Sequence, residues 1–179
     1  MNKTALAIAI GAVALAGLLL MPKAEAAIMD TLGTPSGELL LNANFHLFDD
    51  LFRAAGTKYG VDPLLLKAIA IHESSLRPHA ANTSNPSDPS YGLMQMSCMP
   101  DGTGSCLPHE FNIPNWPPAS QADLFDPAVS IDYGASLLAQ NLRATRGNTW
   151  QAVAMYNSGR TYDPAYTNAV SSIYKQMGG

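Results

Sequence analysis

The chain has 179 residues, of which 47% are hydrophobic and only 13% are charged, with 14 acidic and 10 basic side chains. Soluble domains usually contain about 25% charged residues, so this composition indicates one compact domain joined to an apolar segment. The net charge of −4 offers no basic surface for nucleic acid, and we predict no nucleic-acid partner.

The apolar segment opens the chain and runs from Ala5 to Met21, with Lys3 before it and Pro22 after it. Ala24-Glu25-Ala26 then supplies the small-x-small pattern that signal peptidases cleave. We therefore predict a secretory signal peptide over residues 1–26. The run also reaches the lower limit of about 17 residues for a membrane span, so a retained N-terminal anchor is the alternative. Either form exports the domain to a periplasmic or extracellular location.

Two cysteines, Cys98 and Cys106, are expected to form a disulfide, because exported proteins meet an oxidising compartment. The residues between them are rich in turn formers and can close a tight loop. A metal site formed by both cysteines and His109 is the alternative, but a fourth ligand at zinc-like spacing is missing. We predict no metal and no cofactor.

Residues 27–41 contain turn formers without a sustained period, so we predict a linker there and a folded domain over residues 42–179. The first predicted helix has apolar residues at spacings of 4, 3 and 4, and it ends at Gly60. These apolar positions are Phe48, Phe52, Ala55 and Tyr59.

Three Asp-Pro pairs predict the starts of further helices, because Asp can cap a helix and Pro suits its first position. The pairs are Asp62-Pro63, Asp126-Pro127 and Asp163-Pro164. Helical spacing follows the second pair from Ile131 to Leu142 and the third from Tyr166 to Met177. A short helix is predicted over Thr149–Tyr156.

Two stretches, Pro78–Tyr91 and Ser97–Leu124, are predicted to be long loops because they are rich in Pro, Ser and Asn. Alternation of apolar and polar residues is never sustained, which argues against a central strand and leaves room only for a small hairpin in these loops. The predicted fold class is therefore mainly α.

Glu73 continues an apolar stripe, because Leu65 and Ile69 precede it at steps of four. Burial disfavours a charged carboxylate, so a buried Glu73 would have a raised pKa and could act as a general acid. The alternative is that Glu73 turns into solvent or pairs with Arg77 four residues later. A zinc-protease motif is excluded, since Leu76 stands where the second histidine is needed.

Three ordered motifs surround these residues: Ala68–Ser75 with Glu-Ser-Ser, Ser90–Gln95 with Gly-Leu-Met-Gln, and Ala154–Gly159 with Tyr-Asn. As a set they resemble the soluble lytic transglycosylase (SLT) family, relatives of goose-type lysozyme. The resemblance covers about Phe45 to Met177. It implies a lysozyme-like helical fold with a cleft for the glycan strands of peptidoglycan.

Carried over position by position, the resemblance makes Glu73 the catalytic acid and places Ser90 and Gln95 beside it in the cleft. Tyr156 and Asn157 match the pair that faces the acid and the bound sugar, and Tyr156 is expected to hydrogen-bond Glu73.

The resemblance also gives two residues of the Gly-Leu-Met-Gln motif a part in binding. Gly92 is expected to let the backbone approach the ligand, and Met94 to form an apolar wall, with packing in the core as the alternative for Met94. After Gln95 the family usually continues with a short turn, whereas this chain inserts Met96-Ser97-Cys98 and the cysteine loop.

The implied activity is lytic transglycosylation, which needs one acid and yields a 1,6-anhydromuramic acid end. A second carboxylate, which hydrolysis would use, is not evident from the sequence, because Asp88 and Asp101 sit in turns and Glu110 in an irregular loop. The alternatives are a hydrolytic muramidase and a non-catalytic glycan-binding module of an envelope-crossing machine. The expected partners are peptidoglycan strands and an assembly for secretion, conjugation or phage infection, and we predict a monomer.

Overall fold

The computed structural model describes residues 44–98 and 120–179, which are mainly helical. The segments predicted as signal peptide and linker, over residues 1–41, and residues 99–119 lie outside the described residues. Six helices and three short strands are described: α1 (Asp49–Tyr59), α2 (Pro63–Ser74), β1 (Ala81–Asn82), β2 (Ser90–Tyr91), β3 (Met96–Ser97), α3 (Gln121–Leu124), α4 (Pro127–Ala144), α5 (Thr149–Ser158) and α6 (Pro164–Gln176).

The helix boundaries confirm the predictions from capping residues. Asp62, Asp126 and Asp163 accept backbone N–H groups at the starts of α2, α4 and α6, and each following Pro takes an early helical position. Helix α1 ends at Gly60, whose φ of 67° lies in the left-handed region that glycine tolerates.

The small sheet lies in the stretch predicted as loop and turn between α2 and α3. Its strands pair antiparallel in the order β1-β2-β3, with Ala81 opposite Tyr91 and Tyr91 opposite Met96. Each strand has two residues, which is too short to produce a recognisable alternation in the sequence.

Helix α3 corrects the prediction of a continuous loop up to Leu124. Ser120 and Asp123 form a capping box, in which each side chain accepts the other residue's backbone N–H. The signal was present in the sequence as Ser-Gln-Ala-Asp.

Helix α2 is the central helix of the described domain, since it packs against α1, α4 and α6. Every residue from Leu64 to Ala70 is buried, so this helix is enclosed on all sides. The remaining helices close around it, with α4 against α1 and α5, and α5 against α6. The carboxyl end of α2, which carries Glu73, is thereby held in a fixed position by the core.

A buried ion pair fixes the amino-terminal part of the domain to α2. Lys67 is 0% exposed, and its ammonium lies 2.7 Å from a carboxylate oxygen of Asp49, which is 2% exposed. The ammonium also lies 3.6 Å from the centre of the Phe45 ring. His46 contacts the second oxygen of Asp49 at 2.9 Å. Burial lowers the pKa of Lys67 against the opposing effect of Asp49.

Candidate active site

Glu73 lies in the last turn of α2 and is half-buried. The helix ends one residue later because Ser75 and Leu76 adopt left-handed φ angles of 53° and 57°. The buried Ser74 hydroxyl donates to the carbonyl of Leu93 at 2.8 Å, which ties this helix end to the Gly-Leu-Met-Gln loop. The acid therefore projects from a rigid helix end beside that loop.

The hydrogen-bond partner of Glu73 is Tyr166, whose hydroxyl donates to Oε1 at 2.5 Å. Burial raises the pKa of Glu73, and the hydrogen bond from Tyr166 lowers it to a smaller extent. Glu73 consequently keeps its proton to higher pH than an exposed glutamate does. A protonated carboxyl at the wall of a cleft can serve as a general acid.

The prediction that Tyr156 bonds Glu73 is wrong. The Tyr156 hydroxyl donates to the carbonyl of Met94 at 2.9 Å and lies 3.4 Å from the sulfur of Met96. Burial and the nearby charge of Glu73 raise the pKa of both Tyr156 and Tyr166, so both remain hydrogen-bond donors. Tyr156 thus supports the loop, and Tyr166 holds the acid.

Tyr166 was missed because its spacing along α6 matched an ordinary apolar face. Its ring is indeed buried and lies edge-on to the ring of His72, 4.8 Å between centroids. The available signal was chemical: a buried tyrosine hydroxyl needs a polar partner. Asp163 caps α6 and accepts the backbone N–H of Tyr166 at 3.2 Å, which fixes the first turn of that helix.

The second motif places its two polar residues together. Ser90 donates to the side-chain oxygen of Gln95 at 3.1 Å, and the Gln95 amide donates to the carbonyls of Gly92 at 2.9 Å and Ala80 at 3.3 Å. Ser90 and Gln95 both line the cleft that contains Glu73. This network joins the small sheet to the cleft wall.

Gly92 and Met94 differ from their expected parts in ligand binding. Gly92 has φ 80°, and a Cβ there would lie 1.9 Å from the carbonyl oxygen of Leu124. The close approach that the structure shows at Gly92 is to the end of α3. Met94 is 0% exposed and its backbone N–H donates to Ser130 at 3.1 Å, so it belongs to the core.

The cleft has a volume of about 760 Å³. Of the residues predicted to bind substrate, it is lined by Ser90, Gln95, Tyr156 and Asn157 beside Glu73. Asn157 is exposed and donates to Asp163 at 2.8 Å, a bond that lowers the pKa of Asp163. The cleft is also lined by residues that were not predicted to bind substrate, among them Asn82, Asn85, Met96, Ser97 and Leu137.

Two charged residues also line the cleft. The alternative in which Arg77 pairs with Glu73 is wrong, because Arg77 Nε donates to the carbonyl of Ser74 at 2.9 Å instead. Asp88 is a second carboxylate in the same cleft and accepts a hydrogen bond from the Ser97 hydroxyl. From the sequence Asp88 was placed only in a turn and no second carboxylate was evident, whereas the structure places Asp88 at the cleft.

The predicted cysteine pair falls partly on residues that the structure does not describe. Cys98 is buried at the end of β3, while Cys106, Asp101, His109 and Glu110 lie outside the described residues. Within residues 44–98 and 120–179, no three His, Cys, Asp or Glu side chains are grouped to hold a metal ion. Helices long and apolar enough to cross a membrane are likewise absent from those two ranges.

Comparison with known proteins gives a family match over residues 50–172, to the model described as the transglycosylase SLT domain. The chain is 32% identical over 126 residues to membrane-bound lytic murein transglycosylase C of Edwardsiella ictaluri, covering 66% of this chain and 33% of that protein. It is 28% identical over 110 residues to invasion protein IagB of Salmonella typhimurium, covering 62% of each.

A solved structure shares the fold. An inactive mutant of lytic transglycosylase Slt from Pseudomonas aeruginosa superposes with a TM-score of 0.57 at 22% identity, covering 74% of this chain and 24% of that one. The chain spans between about a quarter and two thirds of the length of the proteins it matches.

Proposed function

Because the chain belongs to the transglycosylase SLT domain family, we propose that it is a peptidoglycan lytic transglycosylase. It cleaves the β-1,4 bond between N-acetylmuramic acid and N-acetylglucosamine and leaves a 1,6-anhydromuramic acid end. The observation that carries this proposal is Glu73, a half-buried carboxyl with a raised pKa that opens into the cleft and is held by Tyr166.

In the proposed reaction the Glu73 carboxyl gives its proton to the glycosidic oxygen as the bond from that oxygen to C1 of the muramic acid breaks. The resulting carboxylate then takes the proton of the 6-hydroxyl of the same sugar, whose oxygen bonds to C1. The carboxyl is thereby regenerated and no water is consumed. Tyr166 stabilises the carboxylate form between the two steps, because its hydroxyl donates to Oε1.

The other cleft residues bind and position the strand. Ser90, Gln95 and Asn157 offer polar groups along the walls. Tyr156 acts indirectly, by fixing the carbonyl of Met94.

A hydrolytic muramidase is the second candidate, and Asp88 is the observation that favours it. Hydrolysis by inversion uses a second carboxylate to activate water on the far side of the sugar. Asp88 lines the same cleft as Glu73 and is exposed to solvent, so it satisfies the chemical requirement. Inversion also requires that the Asp88 carboxylate lie far enough from Glu73 for a water molecule to fit between Asp88 and the sugar.

The products distinguish the two reactions. Purified peptidoglycan is digested with the mature domain, and the fragments are analysed by chromatography and mass spectrometry without borohydride reduction. We expect fragments that end in anhydromuramic acid, each lighter by one water than its hydrolytic counterpart. Fragments with mostly reducing ends would refute the proposal in favour of the muramidase.

The variant Asp88→Asn tests directly whether the reaction depends on the Asp88 carboxylate. It keeps the shape and the hydrogen bond from Ser97 while removing the negative charge. A lytic transglycosylase should retain most of its activity in this variant, whereas a muramidase that depends on Asp88 should lose it.

We further propose that the domain is exported, carries a disulfide between Cys98 and Cys106, and opens the wall locally as a monomer for an envelope-crossing assembly. The relative IagB is called an invasion protein, which supports that setting. Mass spectrometry of exported protein should find Ala27 at the amino terminus and a mass two hydrogens below the reduced form. A retained residue 1–26 segment would indicate the anchor, and free thiols would refute the disulfide.

A further inference from the structure

Three residues that line the cleft carry hydrogen-bond donors to which the described residues offer no acceptor. The first is Arg77, whose Nε donates to the carbonyl of Ser74; no described residue accepts from its two terminal nitrogens. In the described part of the chain, no carboxylate lies within ion-pair distance of Arg77. Among residues 44–98 and 120–179, this permanently charged planar group at the cleft therefore has no ion-pair partner.

Two asparagines that line the same cleft add neutral donors. Asn82 Oδ1 accepts the backbone N–H of Ser84 at 3.3 Å, and Asn85 Oδ1 accepts that of Ser87 at 3.1 Å. Because a backbone N–H can only donate, these contacts identify the accepting atoms as oxygens. The amide nitrogens of Asn82 and Asn85 are left without partners among the described residues.

We propose that the cleft donors of Arg77, Asn82 and Asn85 form a subsite for a carboxylate attached to the glycan strand. The inference rests on the proposed action on peptidoglycan and identifies which substituent of the strand the cleft selects. Arginine matches a carboxylate through two parallel hydrogen bonds, and flanking amide donors can complete its coordination. Asp88 lies in the same cleft and opposes the effect, so Arg77 must outweigh one negative charge.

Arg77 lines the same cleft as Glu73 and follows it after the sharp turn at Ser75 and Leu76. A substrate bound with its reacting bond at Glu73 would therefore have its nearby substituents in the cleft that Arg77 lines. The reacting muramic acid carries a lactyl group on the same ring that donates C1. That group ends in a free carboxylate when the stem peptide has been removed, and otherwise continues into a peptide with carboxylates of its own.

The test compares Arg77→Gln with Arg77→Lys and with Arg143→Gln, a charge-matched control at an exposed position of α4 outside the cleft. Three substrates are used: strands with intact stems, strands stripped of stems by an amidase, and stem-bearing strands whose carboxylates have been amidated. In Arg77→Gln, KM should rise about fivefold, which is about 1 kcal/mol, on a strand that carries the recognised carboxylate. It should not change on amidated strands.

The substrates on which KM increases in Arg77→Gln identify the source of the carboxylate. An increase in KM on stripped strands assigns the subsite to the lactyl carboxylate, and an increase on stem-bearing strands alone assigns it to the peptide. Arg77→Lys should recover part of the loss, since it keeps the charge without the fork. An equal change on amidated strands, or the same effect in Arg143→Gln, would overturn the proposal.

Binding measurements separate this inference from the proposed activity. Soluble fragments of the three strands are titrated into Glu73→Gln and into the Glu73→Gln/Arg77→Gln double variant. Weaker binding of carboxylate-bearing fragments by about fivefold in the double variant supports the subsite even if the wild type releases no product. Equal binding by the two variants, or no binding of any fragment, refutes it.

Discussion

Tyr166→Phe removes only the hydroxyl that donates to Glu73, and Tyr156→Phe makes the same change where the hydroxyl donates to the carbonyl of Met94. The bond from Tyr166 lowers the pKa of Glu73 against the effect of burial, so its loss should raise that pKa further. The alkaline limb of kcat/KM against pH, which follows protonated Glu73, should move to higher pH in Tyr166→Phe only.

The size of the rate effect follows from the same contact. A hydrogen bond from a hydroxyl to a carboxylate stabilises the carboxylate by about 1.5–3 kcal/mol. Because Glu73 is partly exposed, we expect a value near the lower end of that range. The charge develops on Glu73 as its proton leaves, so most of this stabilisation is gained in the transition state. Tyr166→Phe should therefore lower kcat about tenfold on the acid side of the profile, the factor that corresponds to about 1.4 kcal/mol.

The assay is the release of soluble fragments from purified peptidoglycan across the pH range in which both variants stay folded by thermal melting. Tyr156→Phe should lose stability by about 1–3 kcal/mol, because it leaves the Met94 carbonyl without its donor. A limb that moves equally in both variants would show that the Tyr166 bond does not set the pKa of Glu73. A Tyr166→Phe variant with unchanged kcat and pH profile would refute the reasoning altogether.

Glu73→Gln should abolish wall cleavage and should melt at a higher temperature than the wild type at neutral pH, because the folded state disfavours the ionised Glu73 carboxyl. The difference in Tm should vanish below the pKa that Glu73 has in the unfolded chain, and a lower Tm for the variant at neutral pH would contradict the prediction. Gly92→Ala should cost more than about 3 kcal/mol by chemical denaturation, while Gly60→Ala, with open space around a similar φ, should cost only about 1 kcal/mol; equal costs would refute the clash. Lys67→Met should cost about 3–5 kcal/mol, because it removes the buried ammonium beside Asp49 and leaves that buried carboxylate with only His46 as a partner. Lys67→Met/Asp49→Leu should recover part of that loss in the same measurement.

The sequence was sufficient for the features that local chemistry determines. The Asp-Pro pairs predicted the starts of α2, α4 and α6, because capping depends on residues adjacent in the chain. Spacing along α2 singled out Glu73 as a carboxylate on an apolar stripe, and the structure places it at the cleft.

Features that depend on distant contacts could not be predicted in this way. The spacing of Tyr166 fits a core position, and only the folded chain reveals that its hydroxyl meets an acid 93 residues away. Gly92 has the residue type needed for close approach, but the sequence does not reveal that the approaching group is the carbonyl of Leu124. Likewise, Asp88 in a turn gives no sign that the turn forms part of the cleft wall.

The distance along the chain between Glu73 and Tyr166 determines when the acid becomes competent during synthesis. A chain that has emerged from a ribosome or export channel only as far as α5 already carries Glu73, the Gly-Leu-Met-Gln loop and Asn157. It lacks α6, whose packing against α2 supplies Tyr166 and closes over the helix end. In such an intermediate Glu73 lacks the burial that α6 contributes, so the effect that raises its pKa is weaker than in the folded domain. The environment that suits Glu73 to act as an acid is therefore complete only after α6 has docked.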